Sequence, residues 1–159
     1  MMVEELSMTD ATGGESLEVV TVPPELSLQA AHRIMLDRSL RHLPVVSGQR
    51  LAGLVSEREL LLAISRAKDG TFVYPRLSVG EVMTLAHVAV TPNATMSEIA
   101  RLMVDARLDA IPILSAQNTL VGLVTANDLM RAMTKLPQAA PPNLSFHIRR
   151  AAELQATAN

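Results

Sequence analysis

The sequence predicts an α/β protein built from two βαββα units packed about a pseudo-twofold axis. Three observations lead there: a tandem internal repeat, apolar spacing that switches between helix and strand within each copy, and apolar residues that are almost all aliphatic. Of 159 residues, 48% are hydrophobic and 19% charged, ample for a packed core and too apolar for general disorder. With no Trp, one Tyr and two Phe, that core must be made of Leu, Val, Ile, Ala and Met. The absence of Cys excludes disulfides, zinc–thiolate sites and thiol catalysis. A formal net charge of -2 gives no overall basic field, which argues against a dedicated nucleic-acid or membrane-surface binder. Residues 1–10 carry Glu4, Glu5 and Asp10 and lack the basic start and apolar run of a secretory signal. No stretch approaches the roughly 18 apolar residues of a membrane span, so the expected location is the cytoplasm.

The repeat aligns Pro24 with Pro92 and Pro44 with Pro112 without a gap, bringing Arg33 onto Arg101, Met35 onto Met103, Asp37 onto Asp105 and Leu40 onto Leu108. One extra residue near Asn118 shifts the register. After it, Leu51-Ala-Gly-Leu-Val-Ser-Glu-Arg-Glu-Leu60 matches Leu120-Val-Gly-Leu-Val-Thr-Ala-Asn-Asp-Leu129. The period is too long for a solenoid unit, so the chain reads as two small domains.

Each copy opens with a short strand closed by proline, Val19 to Val22 and Val88 to Val90. A helix follows, opened by Ser27 or Thr95; Thr95-Met-Ser-Glu98 is a capping box, whose hydroxyl and carboxylate satisfy amides at the helix start. Positions 28, 31, 35 and 96, 99, 103 recur at helical spacing and should face inward. The runs at Leu43 and Ile111 suit buried strands. Polar turns at Ser47 and Ser115 join them to Leu51–Val55 and Leu120–Val124 as hairpins. Second helices start at Ser56 and Thr125.

The units are bounded at 18–66 and 78–134, with an N-terminal extension over 1–17, a connector at 67–77 and a tail at 135–159. Gly13-Gly14 predicts partial mobility for the extension. In the tail, residues 143–155 read as a short helix whose apolar side, Phe146, Ile148, Ala152 and Leu154, needs a surface to dock on. A unit of about 60 residues is marginally stable alone, and pairing two copies leaves clefts of the kind that hold ligands.

The repeated Pro-hydrophobic strand, the Gly-Leu-Val-[Ser/Thr]-x-x-[Asp/Glu]-Leu segment and the lead-in Ser78-Val-Gly-Glu-Val-Met-Thr84 resemble the CBS domain, a fused pair of which forms a Bateman module. The resemblance spans residues 17–134. It implies a regulatory or sensing module that is no enzyme, needs no catalytic cofactor, takes a small adenosine-containing ligand (AMP, ADP, ATP or S-adenosylmethionine), and assembles as a homodimer with an effector protein as a further partner.

Thr125-Ala-Asn-Asp128 sits where a strand ends and a helix begins, so free amides and the positive end of the helix dipole are at hand. Asp128 can accept hydrogen bonds from ribose hydroxyls, and Thr125 can contact ribose or phosphate. The same two residues also make an ordinary N-cap pair that needs no ligand. In the first copy Ser56-Glu-Arg-Glu59 has Glu for Asp; the extra methylene displaces the carboxylate, and a plain capping box with a degenerate second site is expected.

The resemblance further places the phosphate partner just before the opposite copy's Pro-hydrophobic strand. Here those residues are Arg41, with a planar fork suited to phosphate, and His42, a pH-dependent donor. A solvated turn at a helix end explains them as well. The matching Asp109 would repel phosphate and face the Glu59 cleft, although it could approach the ribose from its own copy. By the same resemblance, Gly80, Leu85, Leu108 and Leu123 wall the adenine slot.

His32, His87 and His147 share no metal-ligand spacing, no metal site is expected, and His32 and Arg33 are placed on the helix surface. The nine Met residues read as core packing. Arg149-Arg150 is too small for a nucleic-acid stripe, and no catalytic set is visible. The leading expectation is thus one competent adenosine-ligand site beside a degenerate one; the alternative is a ligand-free interaction and dimerisation module, and a weaker one is nucleotide turnover.

Overall fold

The computed structural model describes residues 5–8, 17–136, 145 and 149. It is a mixed α/β protein in which the two copies fold into matching units. The first copy runs through β2 (Leu17–Val20), α1 (Leu28–Arg38), β3 (His42–Ser47), β4 (Arg50–Ser56) and α2 (Glu57–Ala63). The second contains α4 (Met96–Ala106), β7 (Ala110–Leu114), β8 (Leu120–Thr125) and α5 (Ala126–Met133). Ahead of β2 lies β1 (Glu5–Met8). Between the copies come β5 (Ser65–Arg66), β6 (Phe72–Val73) and α3 (Val79–Val82).

The hairpins β3–β4 and β7–β8 form as the apolar runs require, each with a bulge, between Val45 and Val46 and between Ile113 and Leu114. The extra residue of the second copy is absorbed in its turn. Asn118 there holds a left-handed φ of 65°, as Gly48 does in the first copy with a φ of 62°.

The strands expected before each helix form only in part: the first is displaced toward the N-terminus and the second is reduced to a single bridge. In the first copy β2 pairs with β1 instead, and Val22 alone bridges to Val45. Its amide donates to the Pro44 carbonyl at 3.0 Å and its carbonyl accepts from Val46 N–H at 2.9 Å. Val90 repeats this with Pro112 at 3.0 Å and Leu114 at 2.8 Å. Prolines at 24, 44, 92 and 112 offer carbonyls but no amides, so the ladder cannot lengthen on either side.

Both long helices carry the predicted caps. Ser27 Oγ accepts from Ala30 N–H, and Thr95 and Glu98 complete a capping box. Each helix ends on a left-handed residue, Ser39 or Arg107, both with φ 54°. Leu28, Ala31 and Met35 are buried with Leu43, Val55 and Leu60 in the first core, while Ile99 and Met103 join Val90, Ile111 and Ile113 in the second. Burial of each such aliphatic side chain stabilises by about 1.5–3 kcal/mol.

Met96 departs from the inward expectation and is 46% exposed, whereas its counterpart Leu28 is 0% exposed. The difference is a lid of chain over the first copy. There Val79 N–H donates to Leu26 O and Gly80 N–H to Pro24 O, both at 2.8 Å, seating Val79 in the first core. No equivalent segment covers Met96 among the described residues.

The lead-in of the second copy therefore rides on the first. Leu54 N–H donates to Thr84 O at 2.9 Å, and Thr84 N–H returns a bond to Leu54 O at 2.8 Å. Gly53 permits this approach: a Cβ there would lie 2.7 Å from the Thr84 carbonyl oxygen. In turn β1 lies against β8, and a bridge joins Arg50 to Thr119, so the two copies are laced together at several points.

His32 is not on the surface as its helical position suggested; it is 2% exposed. The connector folds as the small β5–β6 hairpin over α1, and Tyr74 Oη shares a hydrogen bond with His32 Nδ1 at 2.7 Å. Phe72 meets the imidazole edge-on with centroids 5.1 Å apart, and Arg66 lies over the Phe72 ring at 5.4 Å. Arg33 is exposed as expected. The predictions of a mobile extension around Gly13-Gly14 and of a helix carrying Phe146, Ile148, Ala152 and Leu154 lie outside the described residues. Among the described residues no helix is long and apolar enough to cross a membrane.

Candidate functional site

Each second helix opens where a β-strand stops, and its first amide is anchored to the residue that precedes the paired strand. Ala126 N–H donates to the Asp109 carbonyl and Glu57 N–H to the Arg41 carbonyl, both at 2.8 Å. These bonds fix Arg41 and Asp109 beside the helix starts of their own copies.

At the start of α5, Thr125 is extended (φ -106°, ψ 160°) and its Oγ1 accepts from Asp128 N–H at 3.2 Å. Asp128 Oδ2 accepts both from Thr125 N–H at 2.8 Å and from the Thr125 hydroxyl at 2.7 Å. The capping pair predicted from sequence thus exists, and it uses one carboxylate oxygen. Asp128 Oδ1 has no hydrogen bond among the described residues, so capping leaves an acceptor over for a ligand.

Thr125 and Asp128 line a cavity of about 1080 Å³ between the copies. Arg41 and His42 enter it from the first copy, as the opposite-copy expectation required. Asp109 lines it too, whereas the sequence assigned it to face the other cleft as well as to approach the ribose. Leu123 contributes apolar wall, joined by Val19, Val20 and Met130.

Three residues expected in the adenine slot stand elsewhere. Gly80 lies against Pro24, where a Cβ would meet the proline at 3.0 Å. Leu85 is 59% exposed, and Leu108 packs on the second core. None of the three lines the cavity, because the lead-in carrying Gly80 and Leu85 crosses to the first copy. The first copy's own approach strand, with Val19 and Val20, takes the corresponding place.

Two arginines on the wall have carboxylate partners. Arg38 Nη1 lies 2.9 Å from Glu18 Oε1, and Arg41 Nε lies 4.0 Å from Glu57 Oε2 with its side chain 82% exposed. Burial holds the His42 proton affinity below the ordinary imidazole value; Asp109, Glu59 and Glu57 pull it up, Arg41 pushes it down, and burial wins. Folding thus disfavours protonated His42, so its contribution to stability is full above the unfolded value of 6.5 and is lost as pH falls below it. In urea unfolding across pH 5–8, His42→Gln should flatten this part of the stability profile; an unchanged slope would count against the buried imidazole as its source.

The first-copy counterpart is closed on itself. Glu59 Oε2 accepts from Ser56 N–H at 2.6 Å, Ser56 Oγ accepts from Glu59 N–H at 3.3 Å, and the Thr84 hydroxyl donates to Glu59 Oε1. Both oxygens of this carboxylate are engaged, one by the cap and one by the crossing lead-in. Sequence reading missed Thr84 in this role, as it missed Arg38 and Arg131 on the wall of the larger cavity.

Comparison with known proteins bears on the same segments. The CBS domain family model matches residues 3–66 and 79–135. The chain is 33% identical over 112 residues to an inosine-5'-monophosphate dehydrogenase of Korarchaeum cryptofilum (strain OPF8), covering 70% of this chain and 22% of that protein. The match therefore spans under a quarter of the dehydrogenase. It is 31% identical over 113 residues to the CBS domain-containing protein YhcV of Bacillus subtilis (strain 168), covering 70% of this chain and 76% of the relative. Among solved structures, the cytosolic domain of the Mg2+ channel MgtE in complex with ATP aligns with a TM-score of 0.60 at 26% identity, over 77% of this chain and 48% of that one. A CBS-domain protein from Burkholderia ambifaria MC40-6 aligns with a TM-score of 0.63 at 26% identity, over 77% and 87% of the two chains.

Proposed function

Because the chain belongs to the CBS domain family, as a tandem pair of such domains, we propose that it is a regulatory module whose inter-copy cavity binds one adenosine-containing ligand. The observation that carries this reading is the meeting of Thr125 and Asp128 with Arg41 and His42 in one cavity, while Glu59 is fully occupied within the protein. Asp128 Oδ1 would accept from the ribose hydroxyls, Arg41 and His42 would take phosphate oxygens, and Val19, Val20 and Leu123 would flank the base. The alignment with the ATP-bound MgtE domain supports the ligand class.

Ligand in the cavity would bridge both copies and bias their packing, to the extent that it binds one arrangement better than another. Such bias would pass to a partner, through a homodimer or an effector protein. Exposed Leu62, Val104 and Met133 on helices of both copies support a protein contact.

Thermal-shift measurement with AMP, ADP, ATP and S-adenosylmethionine tests the reading. A ligand at 100 times its dissociation constant should stabilise the fold by roughly 2.7 kcal/mol. If none of the four shifts the melting temperature at millimolar concentration, the ligand reading fails and the module works through protein contacts alone.

A further inference from the structure

We propose that Arg131 contacts the phosphate of the ligand and makes this cavity select adenosine phosphates over adenosine and over S-adenosylmethionine; the inference deepens the nucleotide reading above and rests on it. Neither sequence periodicity nor the repeat singled out Arg131. It lies on α5 three residues beyond Asp128, hence on the same helix face and about 4.5 Å further along the axis, and it lines the same cavity.

The other two arginines of that wall each have a carboxylate partner within the protein. Arg38 is bonded to Glu18 at 2.9 Å, and Arg41 has Glu57 at 4.0 Å. Asp128 holds the start of its helix through Oδ2. Arg131 is exposed and has no ion pair among the described residues. A ligand placed with its ribose on Asp128 finds this unmatched cation one helical turn away. Its planar fork suits phosphate oxygens. A sulfonium or ammonium group in that position would instead meet a like charge.

The duplicated copy gives an internal control. Leu62 occupies the position of Arg131 there, 79% exposed and unable to bind an anion. Four of the substitutions between the copies fall on this cavity or its counterpart: Arg131 for Leu62, Asp128 for Glu59, Arg41 for Asp109, and Arg38 for Ala106. A competing explanation for Arg131 is that a cation in the last helical turn complements the helix dipole. That role would leave the choice among ligands untouched.

Isothermal titration of the full chain with adenosine, AMP and ATP, on wild type, Arg131→Leu, Arg131→Lys and Asp128→Ala, separates the two. Wild type should bind ATP more tightly than adenosine. Arg131→Leu should weaken ATP binding about tenfold or more and leave adenosine within about twofold, and Arg131→Lys should fall between, keeping charge without the fork. Equal losses for ATP and adenosine, or no loss for ATP, would overturn the assignment, as would a wild type that binds both alike. In those cases a cavity still dependent on Asp128 preserves the nucleotide reading. Binding of none of the three ligands to wild type overturns the assignment and the reading together.

Discussion

Replacing Asp128 with alanine should abolish adenosine-ligand binding, while replacing Glu59 with alanine should leave it intact. In both copies the carboxylate caps a helix, so either substitution should lower stability by about 0.5–2 kcal/mol. The contrast is in the second oxygen. Asp128 Oδ1 is unclaimed among the described residues and its residue lines a cavity shared with Arg41, whereas Glu59 Oε1 is held by the Thr84 hydroxyl. Two hydrogen bonds from ribose hydroxyls to a charged acceptor, at about 1.5–3 kcal/mol each, amount to a loss of about 150-fold or more in affinity. Titration calorimetry well below the melting temperature reads this directly. Equal losses in both variants would refute the asymmetry between the copies.

The largest effect on stability is expected at Leu43. It is 0% exposed, lies between His42 and Pro44 on β3, and packs with Leu28, Met35, Val55 and Leu60. Leu43→Ala removes buried methyl groups and leaves a cavity that the surrounding side chains cannot fill, at a cost of about 2–5 kcal/mol. That is a large part of the roughly 5–15 kcal/mol by which domains are stable. Urea denaturation should show the midpoint falling with little change in slope. The exposed Leu36→Ala (58%) should change stability by no more than about 0.5 kcal/mol. A Leu43 variant as mild as the Leu36 one would mean that this core is not the main support of the first unit.

The repeat made most of the architecture readable. Two apolar runs and a polar turn, given twice, specify the hairpins, and the hydroxyl-x-x-carboxylate spacing specifies the helix starts at Thr95, Ser56 and Thr125. The opposition of Arg41 and His42 to Asp128 was likewise legible, though only through the family resemblance. What local pattern could not reveal was which copy each lead-in covers. Gly80 and Leu85 open the second unit in sequence, yet the Thr84–Leu54 bonds carry that segment over the first. Nothing within a window of ten residues encodes that crossing. His32 misled for a similar reason: its helix position is polar in pattern, and its burial depends on Phe72 and Tyr74 forty residues away. Arg131 was passed over because a lone arginine in a last helical turn looks like any solvated cation until the cavity beside it is seen.

The claim on which the functional reading turns is that duplication has left one working pocket and one sealed by its own side chains. Titration of the full chain with whichever adenosine ligand stabilises it most settles this through the stoichiometry. One ligand per chain, lost in Asp128→Ala, is the predicted result. Two per chain, or a single site that survives Asp128→Ala and disappears with Glu59→Ala, would contradict it.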